Sequence, residues 1–131
     1  MQKSSEGQAA KKILIIEDDT SLVKVLRDSL TREGYVVLET RSGKTGLGIA
    51  LTQHPDLILL DIVLPDLDGI SIVKAIHDDP AGQKIKVIML TNLSDTQNVA
   101  EALVNGSYDF LVKSDWKIDD VIKVVREKLA G

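Results

Sequence analysis

The stretch LILLDIVLPDLDG, residues 57–69, places a carboxylate at the end of an apolar run. Residues 57–60 are four consecutive apolar residues, which is typical of a strand that is buried on both faces. Asp61 follows this strand directly, and apolar residues resume after it. Burying a carboxylate is costly unless something neutralises it. Asp61 is therefore either a loop or capping residue, as most lone acids after a strand are, or a site residue beside a cation.

Apolar runs and segments with helical periodicity alternate along the whole chain. The predicted strands cover residues 13–16, 35–38, 57–60, 85–90 and 110–112. The first two predicted helices have their N-caps at Thr20 or Ser21 and at Ser42, and the other three begin near Ile70, near Asp95 and before Val121. Strict alternation of this kind indicates βαβ units. We therefore predict an α/β fold, a doubly wound, five-stranded parallel sheet with five helices.

Length and composition exclude several classes of protein. The 131 residues fit one domain, which we expect at residues 12–131 after a flexible leader at residues 1–11. A net charge of −4 gives no basic footprint, so we expect no direct nucleic-acid binding. The absence of cysteine excludes disulfides and thiolate metal sites. No apolar run approaches the roughly 20 residues of a membrane span, so we expect a cytoplasmic protein without membrane contact.

Candidate site residues follow the first, third, fourth and fifth predicted strands. They are Glu17, Asp18 and Asp19 after the first strand, Asp61 after the third, Thr91 after the fourth and Lys113 after the fifth. Parallel sheets place their sites beyond the carboxyl ends of the strands, so these side chains are expected to converge. Carboxylates suit Mg²⁺, and an aspartate can act as a nucleophile that forms an aspartyl phosphate. Lys113 and Thr91 could then hold phosphoryl oxygens, as phosphoryl transfer requires.

Each of these residues has an ordinary structural interpretation when it is taken alone. Asp19 is expected to be a solvated or capping residue. Thr91 alone would be a helix cap, Lys113 a surface lysine, and Phe110 part of the core. Their joint occurrence at the strand ends is what favours a site.

Four motifs in this chain resemble those of a known family. They are ILIIEDD (13–19), LLDIVLPDLDG (59–69), VIMLT (87–91) and DFLVK (109–113). Residues 12–129 are thus similar to a response-regulator receiver domain, a phosphoprotein of two-component and phosphorelay signal transduction. The resemblance also implies a flavodoxin-like sheet with strand order 2-1-3-4-5.

The resemblance implies a role for each matching residue. Asp61 would accept the phosphoryl group of a histidine kinase or phosphotransfer protein. The expected Mg²⁺ site consists of Asp18, Asp61, Glu17 acting through water, and the backbone carbonyl of Val63. Lys113 and Thr91 would bind phosphoryl oxygens, and Phe110 would be the aromatic residue of the switch. Such a domain is a phosphoacceptor that catalyses its own phosphorylation and dephosphorylation, and is not an enzyme acting on other substrates.

The same resemblance implies how the signal leaves the domain. Phosphorylation would change the surface of the fourth helix, fifth strand and fifth helix. That surface would control a downstream protein partner, or an effector domain lost from this chain. The domain would be a monomer or a phosphorylation-linked dimer.

Some positions depart from the family pattern and keep an alternative open. Ser114 stands where proline is usual, and Asn92 where a small residue is usual. The alternative is a degenerate receiver that acts as a constitutive protein-interaction scaffold. A phosphohydrolase of the haloacid-dehalogenase type would need an Asp-x-Asp motif on the first strand. A flavin binder would need a phosphate loop there instead of carboxylates.

Overall fold

Strands and helices alternate in the structure as the sequence predicts. The computed structural model describes residues 10–62, 64–91, 109–112 and 117–130, without the side chains of residues 91 and 109–112. The elements are β1 (Lys12–Ile16), α1 (Thr20–Arg32), β2 (Val36–Thr40), α2 (Gly43–Gln53), β3 (Leu57–Asp61), α3 (Gly69–Asp78), a 3₁₀ helix (Pro80–Lys84), β4 (Lys86–Thr91), β5 (Asp109–Val112) and α4 (Ile118–Ala130). Helix α4 corresponds to the fifth predicted helix. The fourth predicted helix and residues 1–9 of the predicted leader lie outside the described residues.

The five strands form one sheet in which every hydrogen-bonded pair is parallel. The strand order is β2-β1-β3-β4-β5, which confirms the predicted order. Ile16 of β1 lies opposite Leu60 of β3, and Asp61 lies opposite Leu90 of β4. Strand β3 is therefore the central strand, and its last residue lies at the carboxyl edge of the sheet.

Helices cover both faces of the sheet. Leu14, Ile16, Ile58 and Leu60 pack in a cluster with buried residues of α2 and α3. Their neighbours on the strands face the other way, into a cluster with buried residues of α1 and α4. Since the inner strands β1 and β3 are buried on both faces, residues 13–16 and 57–60 are continuous apolar runs that do not alternate with polar residues.

The start of α1 differs from the prediction. Asp19, and not Thr20 or Ser21, is the N-cap, and its side chain accepts a hydrogen bond from the backbone N–H of Leu22 at 3.2 Å. Asp19 has an extended backbone (φ −75°, ψ 107°), as N-cap residues do, whereas Thr20 is already helical. The interpretation of Asp19 as a capping residue is thus confirmed.

Helix α2 forms although it contains three glycines, and Ser42 caps it as predicted. At least one of these glycines allows close packing. A Cβ built on Gly46 would lie 2.5 Å from Cδ1 of Ile16 on β1. None of the helices in the described part of the chain is both long and apolar enough to cross a membrane.

Candidate functional site

Asp61 is fixed at the middle of the carboxyl edge. All five residues of β3 are buried, and Asp61 itself is 5% exposed. The next residue, Ile62, donates its backbone N–H to the carbonyl of Leu90 at 3.1 Å, so the chain stays tied to β4 beyond Asp61. The carboxylate therefore stands on a rigid strand, which suits a reacting group.

Glu17 lies beside Asp61 at the end of the adjacent strand. Ile16 of β1 pairs with Leu60 of β3. Glu17 and Asp61 each come directly after this pair, so the two acids lie side by side. Glu17 is 1% exposed, and its Oε2 accepts a hydrogen bond from the backbone N–H of Asp19 at 2.9 Å. Among the residues whose side chains the structure describes, these two are the only polar or charged ones that are buried.

Asp18 belongs to the same edge but faces solvent. Its side chain is 51% exposed, and its Oδ1 lies 3.9 Å from a guanidinium nitrogen of Arg41. An exposed ion pair of this length contributes little to stability. The carboxylate of Asp18 therefore remains accessible to a cation that arrives from solvent.

The donors at this edge fit a magnesium ion that keeps most of its water. Within the described residues, no three His, Cys, Asp or Glu side chains form a group that could hold a metal ion. Mg²⁺ usually takes only one or two protein carboxylates and completes its shell with water and phosphate oxygens. Asp18 and Glu17 supply hard oxygen donors of this kind beside Asp61.

The structure tests the other predicted site residues only in part. The backbone of Thr91 ends β4, next to Leu90, which pairs with Asp61. Phe110 lies in β5 opposite Met89. The structure describes only the backbone of Thr91 and Phe110, and it does not describe Val63 or Lys113 at all. Their roles stay predictions.

The loop between β3 and α3 returns very close to Asp61. Gly69 donates its backbone N–H to the carbonyl of Ile62 at 2.7 Å. A Cβ on Gly69 would lie 2.8 Å from the carbonyl oxygen of Asp61 and 2.8 Å from Cα of Ile62. The glycine of the LLDIVLPDLDG motif is thus required for a close approach of two backbone segments.

Asp66 is a residue of this site region that sequence reasoning missed. Its carboxylate accepts hydrogen bonds from the backbone N–H groups of Gly43 at 2.8 Å and Lys44 at 3.0 Å, and from the hydroxyl of Ser42 at 2.9 Å. The bonds from Lys44, Gly43 and Ser42 hold the pKa of Asp66 at about 2. These partners lie 22 to 24 residues earlier in the chain, so no local spacing reveals them.

A groove of about 820 Å³ opens beside the acidic edge. It runs between α1 and the end of β2 and reaches Asp18 and Asp66, but neither Glu17 nor Asp61 lines it. Basic residues of α1 and Arg41 share its wall with acidic ones. The groove therefore carries no single sign of charge.

Comparisons with known proteins agree with this arrangement. The family model of the response regulator receiver domain matches residues 13–126. The chain is 36% identical over 115 residues to the response regulator PleD of Caulobacter vibrioides, a match that covers 88% of this chain and 25% of PleD. It is 39% identical over 102 residues to the probable transcriptional regulatory protein SilR of Salmonella typhimurium, which covers 78% of this chain and 44% of SilR.

One similar solved structure is described with a metal ion. The receiver domain of the sensor histidine kinase PA1611 from Pseudomonas aeruginosa superimposes with a TM-score of 0.83 and 28% identity, over 94% of this chain and all of that one. That structure is described with a magnesium ion coordinated in its active-site cleft. The present chain spans less than half the length of PleD and of SilR. With the family model matching most of its residues, the chain belongs to the response regulator receiver domain family of two-component signalling.

Proposed function

We propose that this receiver domain is a phosphorylation-dependent switch in which Asp61 accepts a phosphoryl group from a histidine kinase or a phosphotransfer protein. The observation that supports this most directly is the burial of Glu17 and Asp61 at the ends of adjacent strands. Two buried acids side by side lower the stability of a fold unless a cation offsets their charge. Binding a cation for a reaction would explain why both acids are present. Asp61 is also on the strand end where this fold class places its sites.

The transfer exchanges one bond to phosphorus for another. A carboxylate oxygen of Asp61 forms the new P–O bond while the P–N bond of the donor phosphohistidine breaks. The electrons of that bond stay on the imidazole nitrogen, which takes a proton from solvent. Lys113 and Thr91 hold the phosphoryl oxygens in this proposal.

The residues that would hold Mg²⁺ are Asp18, Asp61, Glu17 through a water molecule, and the carbonyl of Val63. Membership of the family, and the PA1611 structure that is described with a magnesium ion in its active-site cleft, support the presence of such an ion. When bound, the ion supplies positive charge that offsets the charge of the transferring group. In this proposal Glu17 and Asp18 bind and orient the ion, and Asp61 reacts with the phosphoryl group.

The output of the switch is a change of surface. An aspartyl phosphate carries more negative charge than the carboxylate it replaces. In this proposal Thr91 moves toward the phosphoryl group and Phe110 takes the space that it leaves. The surface of the predicted fourth helix, β5 and α4 then controls a partner protein or an effector domain in a longer protein. The proposed location is the cytoplasm.

Intact mass spectrometry after incubation with acetyl phosphate and Mg²⁺ tests the central step. We expect one added phosphoryl group on the wild-type chain, and none on Asp61→Asn or with a chelator present. Asp56→Asn is the matched control, because Asp56 directly precedes the same strand at its other end and bonds the backbone N–H of Lys12 at 2.7 Å. Modification of Asp61→Asn, or no modification of Asp56→Asn, would contradict the assignment.

A further inference from the structure

The loop that follows Asp61 is fastened to α2 by one carboxylate. Oδ1 of Asp66 accepts from the backbone N–H of Gly43 at 2.8 Å and of its neighbour Leu67 at 3.1 Å. Oδ2 accepts from the hydroxyl of Ser42 at 2.9 Å and the backbone N–H of Lys44 at 3.0 Å. A carboxylate has about four lone-pair sites, so this one is fully used. Asp66 is therefore not available as a metal ligand, although it lies close to the acidic edge.

Two further hydrogen bonds connect Ser42, through the edge strand β2, with Glu17. The backbone N–H of Ser42 bonds the hydroxyl oxygen of Thr40 at 3.2 Å. The carbonyl oxygen of Thr40 accepts from the backbone N–H of Glu17 at 3.1 Å. An unbroken chain of residues thus joins Asp66, Ser42, Thr40 and Glu17. It connects the loop after Asp61 with the backbone of the other buried acid.

The packing around Gly43 shows independently that the loop is held tightly. A Cβ on Gly43 would lie 3.0 Å from Cδ1 of Ile72, 3.1 Å from Oδ1 of Asp66 and 3.1 Å from Cβ of Leu67. All three distances are shorter than ordinary van der Waals contacts. The first residue of α2 thus has little room for a side chain, and a Cβ there would have to displace the loop by a few tenths of an ångström.

We infer that Asp66 is a positioning residue for the magnesium site, which it serves by holding the loop after Asp61 against α2 and, through Ser42 and Thr40, against the backbone of Glu17. The inference rests on the proposed function. The fastened loop begins directly after Asp61, so holding it limits the movement of the chain beside the proposed magnesium site. Partners that orient metal ligands from behind commonly matter for metal affinity almost as much as the ligands do.

Magnesium titrations followed by backbone amide NMR test this role without any need for turnover. We expect Asp66→Ala to raise the Mg²⁺ dissociation constant by about tenfold, the low end of what losing such a partner causes. Asp66→Asn keeps an acceptor oxygen, so its value should fall between those of Asp66→Ala and the wild type. Phosphorylation by acetyl phosphate at limiting Mg²⁺ should fall in the same order.

Two further variants separate positioning from helix capping. Asp79 also caps a helix, with its Oδ1 3.0 Å from the backbone nitrogen of Ala81, but it precedes β4 at the opposite edge of the sheet. Asp79→Ala should lower thermal stability and leave the Mg²⁺ dissociation constant unchanged. Gly43→Ala removes no hydrogen-bonding group, yet it should weaken Mg²⁺ binding by displacing the loop. If Asp66→Ala does not fold, the Mg²⁺ dissociation constant of Gly43→Ala tests the positioning role by itself.

The outcomes distinguish the inference from the proposed function. A wild-type chain that neither binds Mg²⁺ nor becomes phosphorylated would overturn both. A wild-type chain that does both, with Asp66→Ala and Gly43→Ala binding Mg²⁺ equally well, would overturn the positioning role alone. A loss of stability in Asp66→Ala without a change in Mg²⁺ affinity would reduce Asp66 to a helix cap.

Discussion

Glu17 and Asp61 are buried next to each other at the carboxyl ends of β1 and β3, one residue beyond the pair formed by Ile16 and Leu60. Residues 13–16 of β1 and residues 57–60 of β3 are all apolar and buried, so neither acid can reach bulk water by a small rearrangement of its strand. In the proposed function, a cation bound at this edge would lower the free energy of the folded state as well as prepare the reaction. Stability and magnesium binding should therefore be linked.

Asp61→Asn should stabilise the protein when Mg²⁺ is absent. Removing one of two adjacent buried charges is expected to raise the free energy of unfolding by about 1–2 kcal/mol. Urea unfolding in the presence of a chelator measures this. Asp56→Asn should change stability in the opposite direction, because Asp56 accepts a hydrogen bond from the backbone of Lys12. A lower stability of Asp61→Asn in chelator would contradict the electrostatic argument.

Gly69→Ala should destabilise the protein and disturb Asp61. The new Cβ would meet backbone atoms of Asp61 and Ile62 that cannot move aside independently, at a cost of about 1–3 kcal/mol. Gly48→Ala is the control, because its Cβ would meet no atom within 4 Å. Since Gly48 is exposed inside α2, alanine there should stabilise by about 0.5–1 kcal/mol. Thermal unfolding of both variants should thus shift in opposite directions, and equal shifts would contradict the close approach.

The alternation of apolar runs with helical segments was sufficient to predict a parallel sheet, whereas the order of its strands was predicted from the family resemblance. The positions of Glu17, Asp18 and Asp61 at one edge followed from the parallel arrangement alone. The N-cap of α1 was predicted at Thr20 or Ser21, while Asp19 was also interpreted as a solvated or capping residue, since Thr20 and Asp19 are both good capping residues and only the backbone angles decide between them. The role of Asp66 was not predicted, because its partners on α2 come close only after the chain folds.

Arg41→Ala should tighten Mg²⁺ binding slightly. Arg41 is the cation nearest to Asp18 in the described part of the chain, at 3.9 Å, and competes with the metal for that carboxylate. Both side chains are more than half exposed, so we expect the dissociation constant to fall by no more than about threefold, and less at high salt. Arg41→Lys keeps the charge and should bind Mg²⁺ as the wild type does. Weaker binding by Arg41→Ala would show that Arg41 supports the site.

Phe110→Ala should separate phosphorylation from its output. Acetyl phosphate should still modify Asp61, because Phe110 lies on β5 opposite Met89 and not at the acidic edge. The phosphorylation-dependent change in amide hydrogen exchange of α4 should be reduced or lost. Phe110→Tyr keeps the aromatic ring and is the matched control. An unchanged response of α4 in Phe110→Ala would remove Phe110 from the proposed switch.

Asp66 should contribute to stability in a manner that depends on acid pH. Its pKa is about 2 in the folded chain, because Lys44, Gly43 and Ser42 donate hydrogen bonds to the ionised carboxylate. An unfolded aspartate titrates near pH 4, so the folded state holds its proton less tightly than the unfolded state does. The contribution of Asp66 is therefore fully present above about pH 5 and disappears as the pH falls toward about 2.

The free energies of unfolding of wild type and Asp66→Asn should accordingly converge as the pH is lowered. Urea titrations at several pH values between neutrality and acid measure the difference directly. The difference in unfolding free energy between wild type and Asp68→Asn should also decrease as the pH is lowered, because the hydrogen bond from the backbone N–H of Ser71 lowers the pKa of Asp68 at the start of α3. A difference between wild type and Asp66→Asn that stays constant with pH would mean that the carboxylate charge contributes nothing to holding the loop. The positioning role would then rest on the shape of Gly43 and Leu67 alone.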